Sequence, residues 1–543
     1  MGDAGVIFCY LCGMFVRKKR NRKGTISVVV VDKSHGGFRE VRNFGVVSSE
    51  EEADRLCMTA RKWISTYGGQ QVIDFGEDAI REREMEAAER AFANIDSVFM
   101  NAPQLILNPI YDSIGFGRIP DVTLRQLVMA RICQPMSKLA TVDYLKSHFI
   151  EDTSLDRIYY YMDKLYNNQQ ELVQQISVGH TRKILGGRIG IVFYDCTTLY
   201  FESFARDKLC EPGFSKDGKS KENQIVIGLL VSAGGYPLAY SVFCGSQYEG
   251  FTMIPVVDDF VARFHLKDVV IVADSGLMTR KNVKMLQAGK YRYILGARIR
   301  NEAREVREWI LSREKAEGVC YEYEREQAVS DPDCKDPKAT LKIRERLIIT
   351  YSKERARNDA ENRRRGVERL RRDFGSGTVR KENINRRGYN KFLEITEDVD
   401  IAINEEKVAE DAKWDGWKGY VTNSAIEAGE VVSQYRGLWV VERAFRGTKG
   451  NLDARPVFHF TPRRIEAHIC ICFIAYKVYK EMERILKQMK FPLSVDKVLS
   501  IAKTIPTVTM RLPGSQQRLT KTLFLTEEQR AIKPLFDLEG LLG

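Results

Sequence analysis

The sequence predicts an α/β multidomain protein built on a mixed sheet, with a β-hairpin unit and a helical region before it. Between residues 186 and 300, apolar runs of strand length alternate with segments of helical period. A highly charged stretch at 301–410 interrupts this pattern, and strand and helix signals resume at 411–490. We interpret the charged stretch as an insertion between two parts of one domain. The 543 residues, 44% of them hydrophobic, suffice for several folded units of globular composition.

The N-terminal unit, residues 14–66, alternates in strand fashion on both sides of a turn signal at His35-Gly36-Gly37. Charged amphipathic helices are expected at 50–66 and 78–98. A basic run opens the unit: Arg17, Lys18, Lys19 and Arg20. Such a run fits a solvated strand edge and a phosphate-contacting surface equally well.

The region 67–185 is predicted to be mainly helical, with apolar residues at helical spacing: Leu124, Leu127, Val128 and Ile132. Together with the N-terminal unit, it is the candidate for DNA recognition. We interpret residues 1–13 as an upstream extension and 491–543 as a C-terminal tail that serves oligomerisation.

The mixed-sheet core is predicted from its apolar runs. Strands are expected at 188–195, 225–232, 236–243, 268–274 and 292–298. Helices are expected at 252–264, 279–288 and 463–489.

Charge and cysteine content restrict the class of protein. Lys and Arg exceed Asp and Glu by 12, which favours a polyanionic partner, either nucleic acid or an acidic membrane surface. No apolar run approaches the roughly 20 residues that span a bilayer. The eleven cysteines are odd in number and lack framework spacing, so we expect reduced thiols in the cytosol.

Three carboxylates stand out as a candidate metal site. Asp195 and Asp274 each close an apolar run, IGIVFYD and VVIVAD, and Glu442 lies on a later helix. Close carboxylates repel one another unless cations lie between them, and Mg²⁺ or Mn²⁺ prefers such oxygen ligands. Two such ions about 4 Å apart can catalyse displacement at a phosphodiester.

The segment YRGLWVVERAFRGTK is predicted to form one helix. At about 3.6 residues per turn, one stripe carries Tyr435, Trp439, Glu442, Arg446 and Lys449. An adjacent apolar stripe can pack on a core; it carries Leu438, Val441, Phe445 and Leu452.

The order strand–Asp, strand, strand, helix, strand–Asp, insertion, helix–Glu resembles the RNase H-like core of DDE transposases. The spacing of Tyr435, Glu442 and Lys449 is similar to the Y-R-E-K signature of the insertion-sequence-4 family of bacterial transposases. Five further segments share the likeness: FVRKKRNRKG, ARICQPMSKL, GFSKDGKSKENQIVIGLL, ADSGLMT and NLDARPVFH. The signature expects Arg four residues before Glu442, where this chain has Leu438. Arg436 or Arg446 could supply the missing guanidinium, or the chain lacks it.

The resemblance implies cut-and-paste transposition in the bacterial cytoplasm, at the nucleoid. Water would cleave each transposon end, and the freed 3′-hydroxyl would attack target DNA; a hairpin pathway is left open. Asp195, Asp274 and Glu442 would hold two Mg²⁺ or Mn²⁺ ions. Lys449 would grip a phosphate, and Tyr435 would stack on or hydrogen-bond to DNA. The implied partners are terminal inverted repeats, target DNA and a second copy of the chain on paired ends.

Two other classes compete with this interpretation. Residues 213–220, GFSKDGKS, match a phosphate-binding loop, so the chain could be a P-loop nucleotide hydrolase. The loop, however, follows no apolar strand and precedes the strand IVIGLLV, whereas such a loop should open a helix. Lys216 and Lys219 are therefore expected to face DNA. The third class, a DNA-binding protein without catalysis, explains the charge but leaves the carboxylates unexplained.

Overall fold

The computed structural model describes most of the chain in two compact units. The described residues are 13–21, 24–34, 36–67, 77–149, 153–201, 207–213, 222–277, 280–330, 340–375, 388–395, 401–446, 459, 461–512 and 515–538. Unit 1 comprises residues 1–96 and 510–518, and unit 2 comprises 97–509 and 519–543. These boundaries differ from the seven segments expected from the sequence. Among the described residues, no helix has the length and apolar character needed to cross a membrane.

Unit 1 is a three-stranded antiparallel sheet with a helix on one face. Its elements are β1 (Met14–Arg20), β2 (Ile26–Asp32), β3 (Arg39–Val47), α1 (Glu50–Thr66) and α2 (Glu77–Ala93), and the strand order is β1-β2-β3. Ser49 caps α1 by accepting a hydrogen bond from the Glu52 amide. Apolar residues on alternate positions of the strands bury against α1: Met14, Ile26, Val28 and Val30 on the sheet, and Ala53, Cys57 and Ala60 on the helix.

The boundary between the units falls within β4 (Ile95–Phe99), β16 (Thr507–Arg511) and β17 (Arg518–Thr522). The remaining strands lie in unit 2: β5 (Ile191–Tyr200), β6 (Glu211–Pro212), β7 (Asn223–Ser232), β8 (Pro237–Cys244), β9 (Val270–Ala273), β10 (Arg292–Ala297), β11 (Cys320–Ser330), β12 (Thr340–Tyr351), β13 (Leu393–Ile395), β14 (Ile401–Ile403) and β15 (Trp417–Thr422).

The helices of unit 2 are α3 (Ala102–Ile114), α4 (Val122–Cys133), α5 (Lys138–His148), α6 (Leu155–Asn168), α7 (Gln170–Ile184), α8 (Met253–Phe264), α9 (Arg280–Ala288), α10 (Arg304–Leu311), α11 (Lys353–Gly375), α12 (Glu405–Ala412), α13 (Ala428–Arg436), α14 (Trp439–Arg446), α15 (Pro462–Gln488), α16 (Val495–Ala502) and α17 (Glu527–Ala531).

A nine-stranded mixed sheet organises unit 2. Its strand order is β11-β12-β15-β10-β9-β5-β7-β6, with β8 paired to β7. Strands β5, β7 and β8 form an antiparallel meander, whereas β9 and β10 run parallel to β5. The expected α/β multidomain chain with an RNase H-like mixed-sheet core is confirmed, because strand, strand, strand, helix and strand follow in the predicted order.

Two buried clusters cover the faces of this sheet. On one face, α13, α14 and the long helix α15 pack with the α3–α7 region in a single core. The mainly helical region thus shares its core with the sheet. The other face carries α8 and α9. The charged stretch 301–410 also contributes to the sheet, because β11 and β12 extend it through β15.

Candidate functional site

Asp195 lies on β5, and Asp274 directly follows the neighbouring parallel strand β9. The register of β5 with β9 pairs Tyr194 with Ala273, so the two aspartates occupy the next matched positions. Adjacent strands lie about 4.8 Å apart. Phe193 and Val272, two residues before each aspartate, face the cluster that contains α13, α14 and α15. Because side chains alternate along a strand, both carboxylates lie on that same face.

One detail of the prediction is wrong, because Asp195 does not end its strand. Strand β5 continues for five more residues to Tyr200, since β7 keeps pairing with it from Cys196 to Tyr200. The partner that ends here is β9, whose last residue is Ala273. The Asp195 carboxylate is half-buried, and its Oδ1 accepts a hydrogen bond of 2.8 Å from the Cys196 amide.

Tyr435 supports Asp274 from helix α13. Its hydroxyl donates to Asp274 Oδ1 at 2.9 Å, and its side chain is buried. Burial, together with the Asp274 charge, raises the pKa of Tyr435, which stays a neutral donor. The Tyr420 ring packs edge-on against it at 4.9 Å. The ring is thus enclosed and the hydroxyl is engaged by Asp274. Contact of Tyr435 with DNA, by stacking or by hydrogen bonding, stays a prediction.

Gly296 on β10 makes this contact possible. A Cβ at this position would lie 2.4 Å from the Tyr435 hydroxyl and 2.9 Å from the Ser275 amide nitrogen. Any larger residue would displace one of these groups. Nothing in the sequence marked Gly296, since the requirement arises from a residue about 140 positions later in the chain.

The predicted single helix from Tyr435 to Lys449 is instead broken into α13 and α14. Successive amides at the junction bond three residues back, with Leu438 donating to Tyr435 and Val440 to Gly437. A Cβ on Gly437 would meet the Phe193 ring at 2.8 Å. The chain therefore turns where only glycine can pass over β5. The five-residue stripe is not continuous across this turn.

Glu442 lies in the first turn of α14, with its side chain exposed. The helix packs on β5 and β7 through Val441, Ala444 and Phe445. This places Glu442 on the sheet face that carries the two aspartates. Leu438, at the position of the signature Arg, packs against the same core.

The cations expected around Glu442 are only partly described. Arg436 is exposed, and its charge lowers the pKa of nearby Lys418, after the effects of burial and Arg355. It therefore lies close to the Asp274 side of the site. The Arg446 side chain and Lys449 lie outside the described part of the chain. Trp439 is 53% exposed, with the Arg443 guanidinium 5.9 Å from its ring.

The three predicted ligands are of the chemical type that hard divalent cations bind. Asp195, Asp274 and Glu442 offer only carboxylate oxygens, the ligands that Mg²⁺ and Mn²⁺ prefer. Within the described ranges, however, no three His, Cys, Asp or Glu side chains stand close enough together to hold a metal ion. Asp195 lies within β5, Asp274 directly follows β9, and the exposed Glu442 is on an eight-residue helix.

The basic run of unit 1 divides between two faces of β1. Lys18 Nζ lies 2.9 Å from Glu50 and 2.8 Å from Asp54 on α1, and these contacts raise its pKa. Arg20 lies 3.6 Å from Glu50. Arg17 and Lys19 alternate with these residues and are exposed. Two of the four basic residues, Lys18 and Arg20, therefore form ion pairs within unit 1.

The competing phosphate-loop motif has the wrong structural context. It begins at Gly213, directly after β6, and the next described element is strand β7, not a helix. A Cβ on Gly213 would lie 2.0 Å from the Gly245 carbonyl oxygen, so close backbone packing explains this glycine. Lys216 and Lys219 lie outside the described residues.

Comparisons with known proteins place these features in a family. No curated protein sequence matches the chain. Among solved structures, the piggyBac transposase synaptic complex with hairpin DNA is 13% identical, with a TM-score of 0.36 over 73% of this chain and 70% of that one. The Mos1 transposase paired-end complex is 8% identical, with a TM-score of 0.15 over 32% of this chain and 58% of that one. Residues 187–477, more than half of the chain, match the family model described as "Transposase DDE domain", and the chain belongs to that family.

Proposed function

We propose that the protein moves its own insertion sequence by cut-and-paste transposition, with Asp195, Asp274 and Glu442 as the catalytic carboxylates. The strand register carries this proposal, because it sets the two aspartates side by side on the face where α14 presents Glu442. The proposed partners are terminal inverted repeats and target DNA, bound by a homodimer on paired ends. Family membership supports the transposase assignment.

Each group has a distinct task in the proposed reaction. A pair of Mg²⁺ or Mn²⁺ ions, when bound, activates the attacking oxygen and stabilises the leaving oxygen of a phosphodiester. Asp195 and Asp274 provide fixed ligands, and Tyr435 holds one oxygen of Asp274 so that the other is oriented. Glu442, exposed on α14, would provide the third carboxylate ligand. Arg436 and Lys449 balance the charge of the phosphates near the reacting bond.

A reconstituted reaction tests this function. The purified full chain is incubated with Mg²⁺ and a plasmid that carries the DNA flanking its gene on both sides. We expect double-strand breaks at the two ends and joining of the excised segment to a second plasmid. Intact ends in both Mg²⁺ and Mn²⁺ would contradict the proposal. ATP hydrolysis that depends on Lys219 would instead favour the nucleotide hydrolase.

The Tyr435 hydrogen bond is expected to matter for cleavage. Tyr435→Phe removes a hydrogen bond to a charged group, which is worth about 1.5–3 kcal/mol, so end cleavage should fall about 10- to 100-fold. Gly296→Ala should give a similar loss because its Cβ would lie 2.4 Å from the Tyr435 hydroxyl and displace it. Cleavage rates and thermal midpoints are measured together.

Gly190→Ala is the matched control, because a Cβ there meets nothing within 4 Å. We expect that variant to cleave like the unmodified protein. A strong loss for Gly296→Ala combined with normal cleavage by Tyr435→Phe would show that the hydrogen bond is not what matters.

The two faces of β1 predict different effects on DNA binding. Arg17→Ala and Lys19→Ala should each lower the slope of log binding constant against log salt by about one, because each removes a phosphate contact. Lys18→Ala should change the slope less, since two carboxylates already neutralise that charge. Salt titrations followed by fluorescence anisotropy measure this. If Lys18→Ala and Lys19→Ala lowered the salt slope equally, DNA binding would depend only on the net charge of the unit and not on which face of β1 carries it.

A further inference from the structure

A cleft of about 430 Å³ opens beside Asp274, and its walls are strongly basic. Four cations line it: Arg298, Arg300, Arg355 and Lys418. The carboxylates in its lining are Asp274 and Asp359. The cleft adjoins the reacting groups, yet none of these four cations belongs to the sequence motifs of the proposed active site.

Two of the four cations have carboxylate partners. Arg300 forms an ion pair with Asp411, and Arg355 Nε lies 3.8 Å from Asp359. Asp359 also accepts a hydrogen bond of 3.1 Å from the Gly416 amide. These carboxylates neutralise part of the charge of Arg300 and Arg355.

Arg298 and Lys418 differ, because no described carboxylate lies within ion-pair distance of either. Arg298 donates from Nε to the Ser275 carbonyl at 3.0 Å and from Nη2 to the Gly276 carbonyl at 3.2 Å. It therefore fixes the loop that follows Asp274 while its charge stays exposed. The contacts tie this cation directly to the segment that carries a catalytic carboxylate.

Lys418 projects from β15 into the same cleft and is half-buried. Its Nζ lies 4.5 Å from the centre of the Tyr435 ring, whose hydroxyl holds Asp274. Burial lowers the pKa of Lys418, and the charges of Arg355 and Arg436 lower it further. The Asp274 charge raises it, but by less than these effects together. A partly desolvated cation among other cations gains free energy when an anion enters beside it.

We propose that this cleft binds one phosphate of the DNA strand next to the scissile phosphodiester, through Lys418 and Arg298. This inference rests on the proposed function and adds to it a phosphate subsite on β15 and on the loop after Asp274. The subsite would also explain how the site can function with Leu438 at the position of the signature Arg. The guanidinium expected four residues before Glu442 is absent there, and the compensating positive charge comes from a strand on the other side of Asp274.

The test measures binding of end DNA in the presence of EDTA, so that it does not depend on cleavage. Duplexes carry a single neutral methylphosphonate at successive positions around the scissile bond. We expect Lys418→Ala to weaken binding about tenfold and to lower the salt slope by about one. One methylphosphonate position should produce the same loss in the unmodified protein and no further loss in Lys418→Ala.

Lys413→Ala is the matched control, because Lys413 is exposed, is paired with Glu410 at 2.5 Å and does not line the cleft. Its salt slope should not change. The phosphate subsite would be wrong if Lys418→Ala bound end DNA as tightly as the unmodified protein. It would also be wrong if every methylphosphonate position lowered the affinity of Lys418→Ala as much as that of the unmodified protein. Neither result would contradict the proposed function. An unmodified protein that binds no end DNA would contradict the proposed function itself.

Discussion

Asp274→Asn is expected to reduce end cleavage by on the order of 10³-fold, because the amide is a poor ligand for a divalent cation. Asp195→Asn and Glu442→Gln should have effects of the same size. All three variants should still bind end DNA, since they remove negative charge from a surface that faces phosphates. Gel assays of cleavage and of binding on the same DNA separate the two effects.

Asp268→Asn provides a matched control near the opposite end of β9. Asp268 precedes β9, whereas Asp274 follows it, and Asp268 is exposed beside Arg188 and Arg292. Its backbone has φ of 58°, a conformation that asparagine tolerates well. We expect normal cleavage from this variant. Cleavage by Asp274→Asn at the rate of Asp268→Asn would remove Asp274 from the active site.

The second large effect is expected on stability, from Glu481→Gln. Glu481 lies on α15 with its side chain 1% exposed, 3.6 Å from His180 Nε2 and 3.0 Å from Arg484 Nε. Burial raises the pKa of Glu481, but the contact with His180 and the hydrogen bonds from Arg484 outweigh it and lower the pKa to about 2. Removing the carboxylate from this buried network should cost about 3–5 kcal/mol in the free energy of unfolding.

The lowered pKa of Glu481 also predicts how the free energy of unfolding changes with pH. Because the pKa of Glu481 is lower in the folded state than its ordinary value of 4.5, its stabilisation is complete above pH 4.5. That stabilisation is lost as the pH falls towards about 2. Glu481→Gln should lack this part of the acid dependence. Urea unfolding at several pH values measures both effects.

Glu528→Gln is the control for Glu481→Gln. Glu528 is 69% exposed and lies 3.5 Å from Lys497, so its loss should change the free energy of unfolding by less than about 1 kcal/mol. Equal effects of the two substitutions would show that the buried network does not stabilise the fold.

Local sequence patterns predict much of this fold because several strands and helices can be recognised from their own residues. The strand at 225–232 appears as β7, and the helices at 252–264 and 463–489 appear as α8 and α15 within two residues. The run at 225–232 is continuously apolar and of strand length, whereas the two helical segments are longer than a typical strand. The expectation that Asp195 and Asp274 converge agrees with the register of β5 and β9, although Asp195 lies within its strand and not at its carboxyl end.

What the sequence does not predict depends on contacts between distant segments. The length of β5 beyond Asp195 is set by its pairing with β7. The break between α13 and α14 arises where Gly437 meets Phe193, and the fit of Gly296 depends on Tyr435. The charged stretch 301–410 resembles an insertion because its strands are rich in charge, yet β12 pairs with β15 in the main sheet.

The central claim is that Asp195, Asp274 and Glu442 together hold the catalytic metal ions. Replacing each in turn by cysteine tests it, because a thiolate is a softer ligand that binds Mg²⁺ poorly and Mn²⁺ better. We predict that all three cysteine variants fail to cleave ends in Mg²⁺ and regain cleavage in Mn²⁺, while Asp268→Cys cleaves in both. Equal activity of any of the three variants in the two metals, or no rescue at all three positions, would contradict the claim.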